Sequence, residues 1–217
     1  MKPSEERSEK WGSFTKRNLF TPQSVNAPDV VKQRNEWIKK LPELDENNLV
    51  FIDESGVNTD MTRLYGRSLG GSRCVDKVPL NTPKSTTILS SVRLNGETAY
   101  TTYQGGTTCE KFVDYLKNVL APTLHEGDIV VMDNMRTHHS KAVKKVIEEL
   151  KINVIYLPPY SPDFNPIEKM WSKIKAILRK LNARTVSELS VAVSDAFKLV
   201  SSRDCLGWFN SCFLSDN

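Results

Sequence analysis

The sequence lacks the features that mark membrane, secreted and zinc-ribbon proteins. No apolar run approaches the roughly 20 residues that a membrane span needs, and the first residues, MKPSEERSEKW, lack the apolar segment of a signal peptide. The four cysteines show no CxxC spacing, which argues against a zinc ribbon. Internal repeats and low-complexity tracts are absent as well. We therefore expect a cytoplasmic protein with reduced thiols and no membrane partner.

Length and composition predict one large domain with an N-terminal extension. The chain has 217 residues, and its 39% hydrophobic content is enough for a substantial core. The first residues are polar and interrupted by prolines, and DVVKQRNEWIKKL then shows helical spacing, with Asp29 as the expected N-cap. The sequence therefore predicts an arm and a helix over residues 1–44 and the main domain over residues 45–217.

Positive charge is concentrated in one part of the chain. The net charge is only +4, but the segment 134–184 carries eleven Lys or Arg against four Asp or Glu, so the remainder is slightly acidic. A local basic excess suits a polyanionic partner. A solvated helix face explains the same pattern, since most charge runs have that origin.

Two short apolar runs each lead into an aspartate. Residues 49–52 precede Asp53, and residues 129–132 precede Asp133. Such runs predict central strands buried on both faces. A carboxylate at the end of a buried strand is costly to desolvate unless it is hydrogen-bonded or bound to metal. An aspartate that begins a turn is the simpler explanation.

The remaining pattern predicts an α/β domain. Residues 85–94 and 97–104 are expected to form a hairpin around Asn95–Gly96. Helices are predicted at 107–124, 140–150, 185–200 and 204–214, with a third buried strand at 152–157. Strand–helix–strand steps imply parallel pairing. If their strands are neighbours, both aspartates lie at the carboxyl edge of the sheet, where α/β proteins place their sites.

The chain is organised around the stretch VIYLPPYSPDFNPIEKMWSKIKAILRK at 154–180. Four of the eleven prolines fall within nine residues of it and predict a rigid corner. An amphipathic helix follows, with Asn165 as N-cap and Pro166 in its first turn. Glu168 lies off the apolar face. It is interpreted either as a capping-box residue folded back on the Asn165 amide or as a rigidly held metal ligand.

Three segments resemble a known family of DNA-processing enzymes. The order of elements resembles the ribonuclease-H-like fold, a mixed five-stranded sheet flanked by helices. FIDESGVNTDMTRLYGRS, DIVVMDN and LPPYSPDFNPIEKMWSKIK resemble the DDE transposases of the mariner-like superfamily, and among them the bacterial insertion-sequence group called the six-thirty family. The resemblance covers residues 41–214. The thirty-four residues between Asp133 and Glu168 also match the superfamily's spacing.

The resemblance implies roles for individual residues. Asp53, Asp133 and Glu168 are expected to be the catalytic carboxylates and to hold Mg²⁺ or Mn²⁺. Two such ions, about 3.5–4 Å apart, serve an in-line phosphoryl displacement. Mg²⁺ keeps several waters, so a few carboxylates suffice. Asn134, Asn165 and His138 sit where supporting or DNA-contacting residues are expected, although local capping and turn chemistry also explain them.

The function implied is cleavage of double-stranded DNA at insertion-sequence ends, followed by strand transfer to target DNA. Phosphate contacts position DNA without reading its bases. The residues expected to make them are Arg63, Arg67, Arg136, His138, Lys169, Lys173, Lys175 and Arg179. Because two ends are held together during transposition, a homodimer is expected. A nucleoid-associated, cytoplasmic location follows from a DNA substrate.

One departure from the family's pattern affects how ends are recognised. Full-length relatives carry an N-terminal helix-turn-helix region, and the residues before Asp29 are too few and too polar to supply one. We expect either a second reading frame, joined to an upstream helix-turn-helix product by frameshifting, or a truncated copy. The alternative function is a DNA-binding module of the same fold that has lost turnover. A nuclease acting on RNA–DNA hybrids is a further alternative.

Overall fold

A computed structural model describes residues 26–63, 65–75, 77–78 and 85–213. The expected arm lies almost entirely outside these ranges. The described residues form one five-stranded sheet with helices on both faces. Its strands are β1 (Leu49–Val57), β2 (Thr86–Val92), β3 (Tyr100–Gln104), β4 (Ile129–Met132) and β5 (Asn153–Tyr156). Its helices are α1 (Pro28–Lys40), α2 (Cys109–Tyr115), α3 (Lys141–Glu149), α4 (Pro166–Leu181), α5 (Val186–Lys198) and α6 (Ser202–Phe213).

The sheet is mixed, with strand order β3-β2-β1-β4-β5. β1, β2 and β3 form an antiparallel meander, while β4 and β5 add to β1 in parallel. α3 joins β4 to β5, as a parallel pair with a helical crossover requires. This is the predicted fold class, and it places β1 at the centre of the sheet.

Alternating side chains of β1 divide the core into two layers. Leu49 and Phe51 face a cluster that includes α4, α5 and α6, whereas Val50 and Ile52 face a cluster with α2 and α3. Successive strand residues point to opposite faces, so an apolar run without alternation indicates a strand that is covered on both sides. The face to which each later residue of β1 belongs follows from this alternation.

Local signals in the sequence produce the elements that they predicted. β2 and β3 pair as a hairpin, and Gly96 in its turn has φ +92°. A Cβ at Gly96 would also lie 2.8 Å from the backbone nitrogen of Ser202, so glycine is needed there twice over. Thr108, Ser140 and Thr185 each accept a hydrogen bond from a backbone amide at the start of a helix.

Two expectations about chain organisation need correction. β1 does not end before Asp53 but continues to Val57, because its antiparallel pairing with β2 extends beyond its parallel pairing with β4. α1 begins at Pro28, and its N-cap position is held by Ala27 rather than Asp29. Trp37 of α1 is buried in the same cluster as α4. The domain division at residue 44 stays a prediction.

The carboxyl-terminal helices α5 and α6 pack against α4. Across the described parts of the chain, none of the helices is both long and apolar enough to cross a bilayer. α6 is tied to α4 by an ion pair of 2.5 Å between Lys173 Nζ and Asp204 Oδ2. The hydroxyl of Ser201 donates a second hydrogen bond to the same carboxylate. Lys173 and Ser201 together lower the pKa of Asp204 to about 2.

This ion pair predicts a defined acid sensitivity of the fold. The folded-state pKa of Asp204 lies below its usual 3.8, so its stabilisation is complete above about pH 4 and is lost as the pH falls through 2. Because both side chains are partly exposed, we expect Asp204→Asn to cost about 1–2 kcal/mol at pH 6. Urea unfolding at pH 6 and pH 2 measures the difference. Asp195→Asn, in an exposed pair with Lys198, is the control. If the difference in unfolding free energy between wild type and Asp204→Asn stays constant down to pH 2, the proposed contribution of the Asp204 charge is wrong.

Candidate active site

Asp53 and Asp133 stand side by side just past the end of the parallel strand pair. Phe51 of β1 is in register with Val131 of β4, and each aspartate follows two residues later. Two residues along a strand return to the same face, so both carboxylates lie on the side of the sheet that α4 covers. The predicted neighbourhood of the two strands is therefore present.

Glu168 reaches this edge from the first turn of α4. Asn165 occupies the N-cap position, but its side chain makes no capping hydrogen bond. The Asn165 amide donates to the carbonyl of Pro162 at 3.2 Å, not to Glu168. The capping-box interpretation of Glu168 is therefore wrong, and its carboxylate is left facing the aspartates.

A single cavity of about 420 Å³ joins the three carboxylates. The strand edge supplies Asp53 and Asp133, and α4 supplies Glu168. The opposite wall is the proline-rich corner between β5 and α4. The other lining residues are Asn134, Met135, Leu157, Pro158, Pro159, Tyr160, Ser161, Pro162 and Asn165.

Burial and neighbouring carboxylates raise the pKa of two acidic residues in this cavity. Burial, with the charge of Glu168 as the next contribution, raises the pKa of Asp53 to about 7. Partial burial also raises the pKa of Glu168. The positive charge of nearby Lys175 lowers this pKa, and the negative charge of Asp133 raises it, so that the net shift is upward. Like charges in one poorly hydrated cavity repel, and the repulsion is relieved by protons or by a cation.

Trp171 holds the central carboxylate in place. Its indole Nε1–H donates to Asp53 Oδ2 at 3.0 Å, and the side chain is only 3% exposed. The ring packs edge-on against Phe197 of α5 at 6.4 Å. The sequence predicts an amphipathic helix here but indicates no role for Trp171 in the site. The available signal was its spacing, because a residue three positions after Glu168 lies on the same side of a helix.

His138 supports Asp133 from a buried position in the turn that follows β4. Its Nδ1 lies 2.9 Å from Asp133 Oδ1, and its Nε2 lies 3.7 Å from Glu54 Oε1. Its ring stacks on Phe112 at 4.4 Å. Burial opposes the charged form, but the carboxylates of Asp133 and Glu54 beside the ring outweigh it and raise the pKa of His138 to about 10. With 1% of its surface exposed, His138 is a supporting residue and cannot reach DNA in this conformation.

The donor set of the cavity fits a hard divalent cation. Within the described ranges, no three His, Cys, Asp or Glu side chains come close enough together to hold a metal ion between them. Mg²⁺ does not require so close a group, because it keeps several waters and takes few carboxylates. Asn165 Oδ1 is buried and has no hydrogen-bond partner. An acceptor of this kind beside three carboxylates calls for a cation or its waters, since a phosphate offers no donor.

The basic residues expected to contact DNA fall into two groups. Lys173 is bound to Asp204, and Lys169 donates to Cys212 Sγ at 3.3 Å, so both ammonium groups face α6. The others are wholly or partly exposed: Arg63, Arg67, Arg136, Lys175 and Arg179. Sequence reasoning missed Arg184, whose guanidinium donates to the carbonyls of Thr59 and Met61 and anchors the loop after β1.

Sequence comparison assigns the central part of the chain to a family. Residues 48–190 match the family described as DDE superfamily endonuclease. The Tcb1 transposase of Caenorhabditis briggsae is 27% identical over 99 residues, which is 43% of this chain and 36% of that protein. The Tc3 transposase of Caenorhabditis elegans is 34% identical over 70 residues, 31% of this chain and 21% of that protein. The matches thus span about a third or less of these relatives.

Comparison of structures identifies the fold. A Mos1 transposase paired-end complex with its left transposon end superposes with a TM-score of 0.76 and 16% identity, over 94% of this chain and 64% of that chain. The isolated catalytic domain of Mos1 superposes with a TM-score of 0.66 and 15% identity, over 90% and 93%. The predicted ribonuclease-H-like architecture is confirmed. Mos1 paired-end complexes have been solved with Mn and with Mg.

Proposed function

The chain belongs to the DDE superfamily endonuclease family, and from this premise we propose that it is the catalytic part of a transposase that cuts DNA and transfers the cut strand. The observation that carries the proposal is the meeting of Asp53, Asp133 and Glu168. These carboxylates are far apart in sequence, yet they line one cavity at the carboxyl edge of the sheet. Bringing three carboxylates into one partly buried cavity is unfavourable because their charges repel, and such clusters are typical of functional sites.

The three carboxylates would hold Mg²⁺ or Mn²⁺, two ions in our proposal. When bound, such ions polarise a phosphate oxygen and lower the pKa of water, which suits phosphodiester hydrolysis. The chain's own part is to orient the ligands. Trp171 fixes Asp53 through a hydrogen bond of 3.0 Å. His138 holds Asp133 through an ion pair of 2.9 Å with its carboxylate and a hydrogen-bond contact of 3.2 Å with its backbone carbonyl. Hydrogen bonds of this kind restrict the geometry of metal ligands.

Exposed basic side chains around the cavity would bind the phosphates of the substrate. Lys175 lies near Glu168, whose pKa it lowers. Arg136 is exposed on the turn that follows Asp133. Arg63 and Arg67 are exposed in the loop after β1, and Arg179 lies in the last turn of α4. These five residues are our proposed phosphate contacts.

The finer assignment is also a proposal. The corner YSPDFNPIE supports membership of the six-thirty group of bacterial insertion sequences. We propose element terminal repeats and target DNA as substrates, a homodimer in the active complex, and a nucleoid-associated location. An upstream helix-turn-helix product would supply end recognition. Mos1 transposase forms a paired-end complex with its transposon-end DNA. We propose the same kind of assembly for the present chain.

The proposal is tested by Mn²⁺-dependent nicking of supercoiled plasmid DNA, with bound Mn²⁺ measured by electron paramagnetic resonance. We expect the wild-type chain to bind Mn²⁺ and nick the plasmid, and Asp133→Asn to lose both. Asp195→Asn changes a surface carboxylate of α5 and should behave as wild type. Equal nicking by Asp133→Asn would contradict the proposal. DNA binding with neither nicking nor Mn²⁺ binding would favour the inactive module, and faster cutting of an RNA–DNA hybrid would favour the hybrid nuclease.

A further inference from the structure

Arg34 of α1 joins the N-terminal helix to the wall of the catalytic cavity. Its guanidinium donates to both carboxylate oxygens of Asp163, at 3.0 and 2.6 Å, and to Ser161 Oγ at 2.8 Å. The same group lies 4.4 Å from the centre of the Phe164 ring. These four contacts join one side chain to the four-residue segment 161–164, about 130 residues away in sequence, and so form a specific attachment.

The segment that Arg34 contacts is the proline-rich corner, residues 158–165. Ser161 and Phe164 are each 5% exposed, so their contacts with Arg34 are shielded from water. Tyr160 has φ +57°, a conformation that costs a non-glycine residue energy and needs support from its surroundings. The corner's own backbone bonds are few: Phe164 to Ser161 and Asn165 to Pro162, both at 3.2 Å. Outside contacts must therefore help to fix its shape.

The shape of this corner determines where the catalytic groups stand. Tyr160, Ser161, Pro162 and Asn165 all line the cavity. The Asn165 carbonyl accepts the first amide bond of α4, from Glu168 at 3.2 Å. A shift of the corner therefore moves two groups. One is the buried side-chain amide of Asn165, and the other is the first turn of the helix that carries Glu168.

The electrostatics of the pair agree with a firm contact. Burial raises the pKa of Asp163, but Arg34 and Lys169 outweigh it and hold this pKa below its usual value. Arg34 is 20% exposed in its side chain. By contrast, the Lys32–Glu36 pair on the same helix is 3.9 Å long and largely exposed, as expected of a pair that contributes little.

We propose that Arg34 is a positioning residue for the catalytic cavity: it clamps the proline-rich corner against α1 and thereby sets Asn165 and Glu168 for cation binding. The proposal rests on the proposed function of the cavity. It adds to that function an element, α1, that lies outside the family match at 48–190. α1 thus belongs to the working site and not only to the core.

The clamp is tested first by Mn²⁺ affinity, from electron paramagnetic resonance of the full chain. Loss of a group that orients metal ligands weakens binding typically 10–100-fold, and we expect about tenfold for Arg34→Ala. Arg34→Lys keeps the charge without the planar fork and should recover only part of the loss. Asp163→Asn should weaken affinity to a similar extent, and the double variant should be no worse than Arg34→Ala. Lys32→Ala is the matched control and should bind as wild type.

Hydrogen exchange of the corner provides a second measurement that needs no metal. In Arg34→Ala the amides of Phe164 and Asn165 should exchange about tenfold faster, while those of β1 stay unchanged. Unchanged exchange at the corner would overturn the clamp, whether or not Mn²⁺ binds. Faster exchange with wild-type Mn²⁺ affinity would overturn the positioning role and leave only a structural one.

These outcomes are separable from failure of the proposed function. If Asp133→Asn binds Mn²⁺ as tightly as wild type, the function of the cavity is wrong, and the positioning role of Arg34 is overturned with it. If Asp133→Asn loses Mn²⁺ while Arg34→Ala retains it, only the role of Arg34 is wrong. A fall in Mn²⁺ affinity in Arg34→Ala alongside faster exchange at the corner, with Lys32→Ala unchanged, is the result that supports the proposal.

Discussion

Replacing Asp53 with asparagine is expected to lower metal-dependent DNA nicking by at least about a thousandfold and to stabilise the metal-free protein. Asp53 lies centrally among the carboxylates. Burial is the largest cause of its raised pKa, and the charges of Glu168 and Asp133 raise the pKa further. The amide keeps the size of the side chain and an oxygen to accept the Trp171 N–H bond. It removes the negative charge that a divalent cation requires.

Opposite effects on activity and stability distinguish a metal ligand from a structural carboxylate. Without metal, Asp53→Asn removes repulsion with Glu168 and should gain about 1 kcal/mol, or about 2–4 °C in melting temperature. With Mn²⁺ the order should reverse, because only the wild type gains free energy from binding the ion. Melting curves in chelator and in Mn²⁺, with plasmid nicking, give both readouts.

Asp195→Asn serves again as the control for these measurements, since its carboxylate is exposed on α5 and paired with Lys198. It should leave both melting curves and the nicking rate within error of wild type. An Asp53→Asn variant that nicks within tenfold of wild type would contradict the assignment of Asp53. A variant that is strongly destabilised in chelator would instead show that Asp53 is a structural residue.

Replacing His138 with alanine is expected to cost about 3–5 kcal/mol of unfolding free energy, the range found when one partner of a buried ion pair is removed. His138 is 1% exposed and lies between Asp133 and Glu54, and its ring stacks on Phe112. The side chain of Glu54 is only 11% exposed. Without His138, Glu54 keeps a buried charge that has lost its counter-ion.

A double-mutant cycle separates the charge effect from lost packing. Glu54→Gln in the His138→Ala background removes the stranded charge, so the double variant should be more stable than His138→Ala alone. His125→Ala is the control. His125 also approaches a carboxylate, with Nδ1 3.6 Å from Asp128, but its side chain is 70% exposed. It should cost less than about 0.5 kcal/mol by urea unfolding. An equal cost for both histidines would refute the buried ion pair.

Strand and helix positions could be predicted because their signals are local. The hairpin followed from Asn95–Gly96, and three helices begin close to their predicted starts at 107, 140 and 185, where Thr108, Ser140 and Thr185 cap backbone amides. These choices depend on neighbours within a few residues. The same logic failed at Asn165, which has the right residue type for a cap but whose side chain makes no such bond.

The support of the carboxylates could not be predicted, because it depends on contacts across the sheet. Trp171 lies in the predicted amphipathic helix, but nothing local indicates that its N–H donates to Asp53, 118 residues earlier. His138 was expected to support the site or contact DNA. Only its buried position against Glu54 and Phe112 assigns it to support. Lys173 was likewise expected to contact phosphates, but it forms an ion pair with Asp204 of α6.

The sequence by itself determined the order of elements, because apolar period and turn chemistry lie within short stretches, and its family motifs, YSPDFNPIE among them, indicated the fold class and the three acidic residues that line one cavity. Tertiary structure alone decided that β1 runs past Asp53, that Glu168 faces the aspartates instead of capping its helix, and that Arg34 reaches the corner. Each of these depends on which distant segments pack together. Packing is a property of the whole chain, and no short stretch carries it.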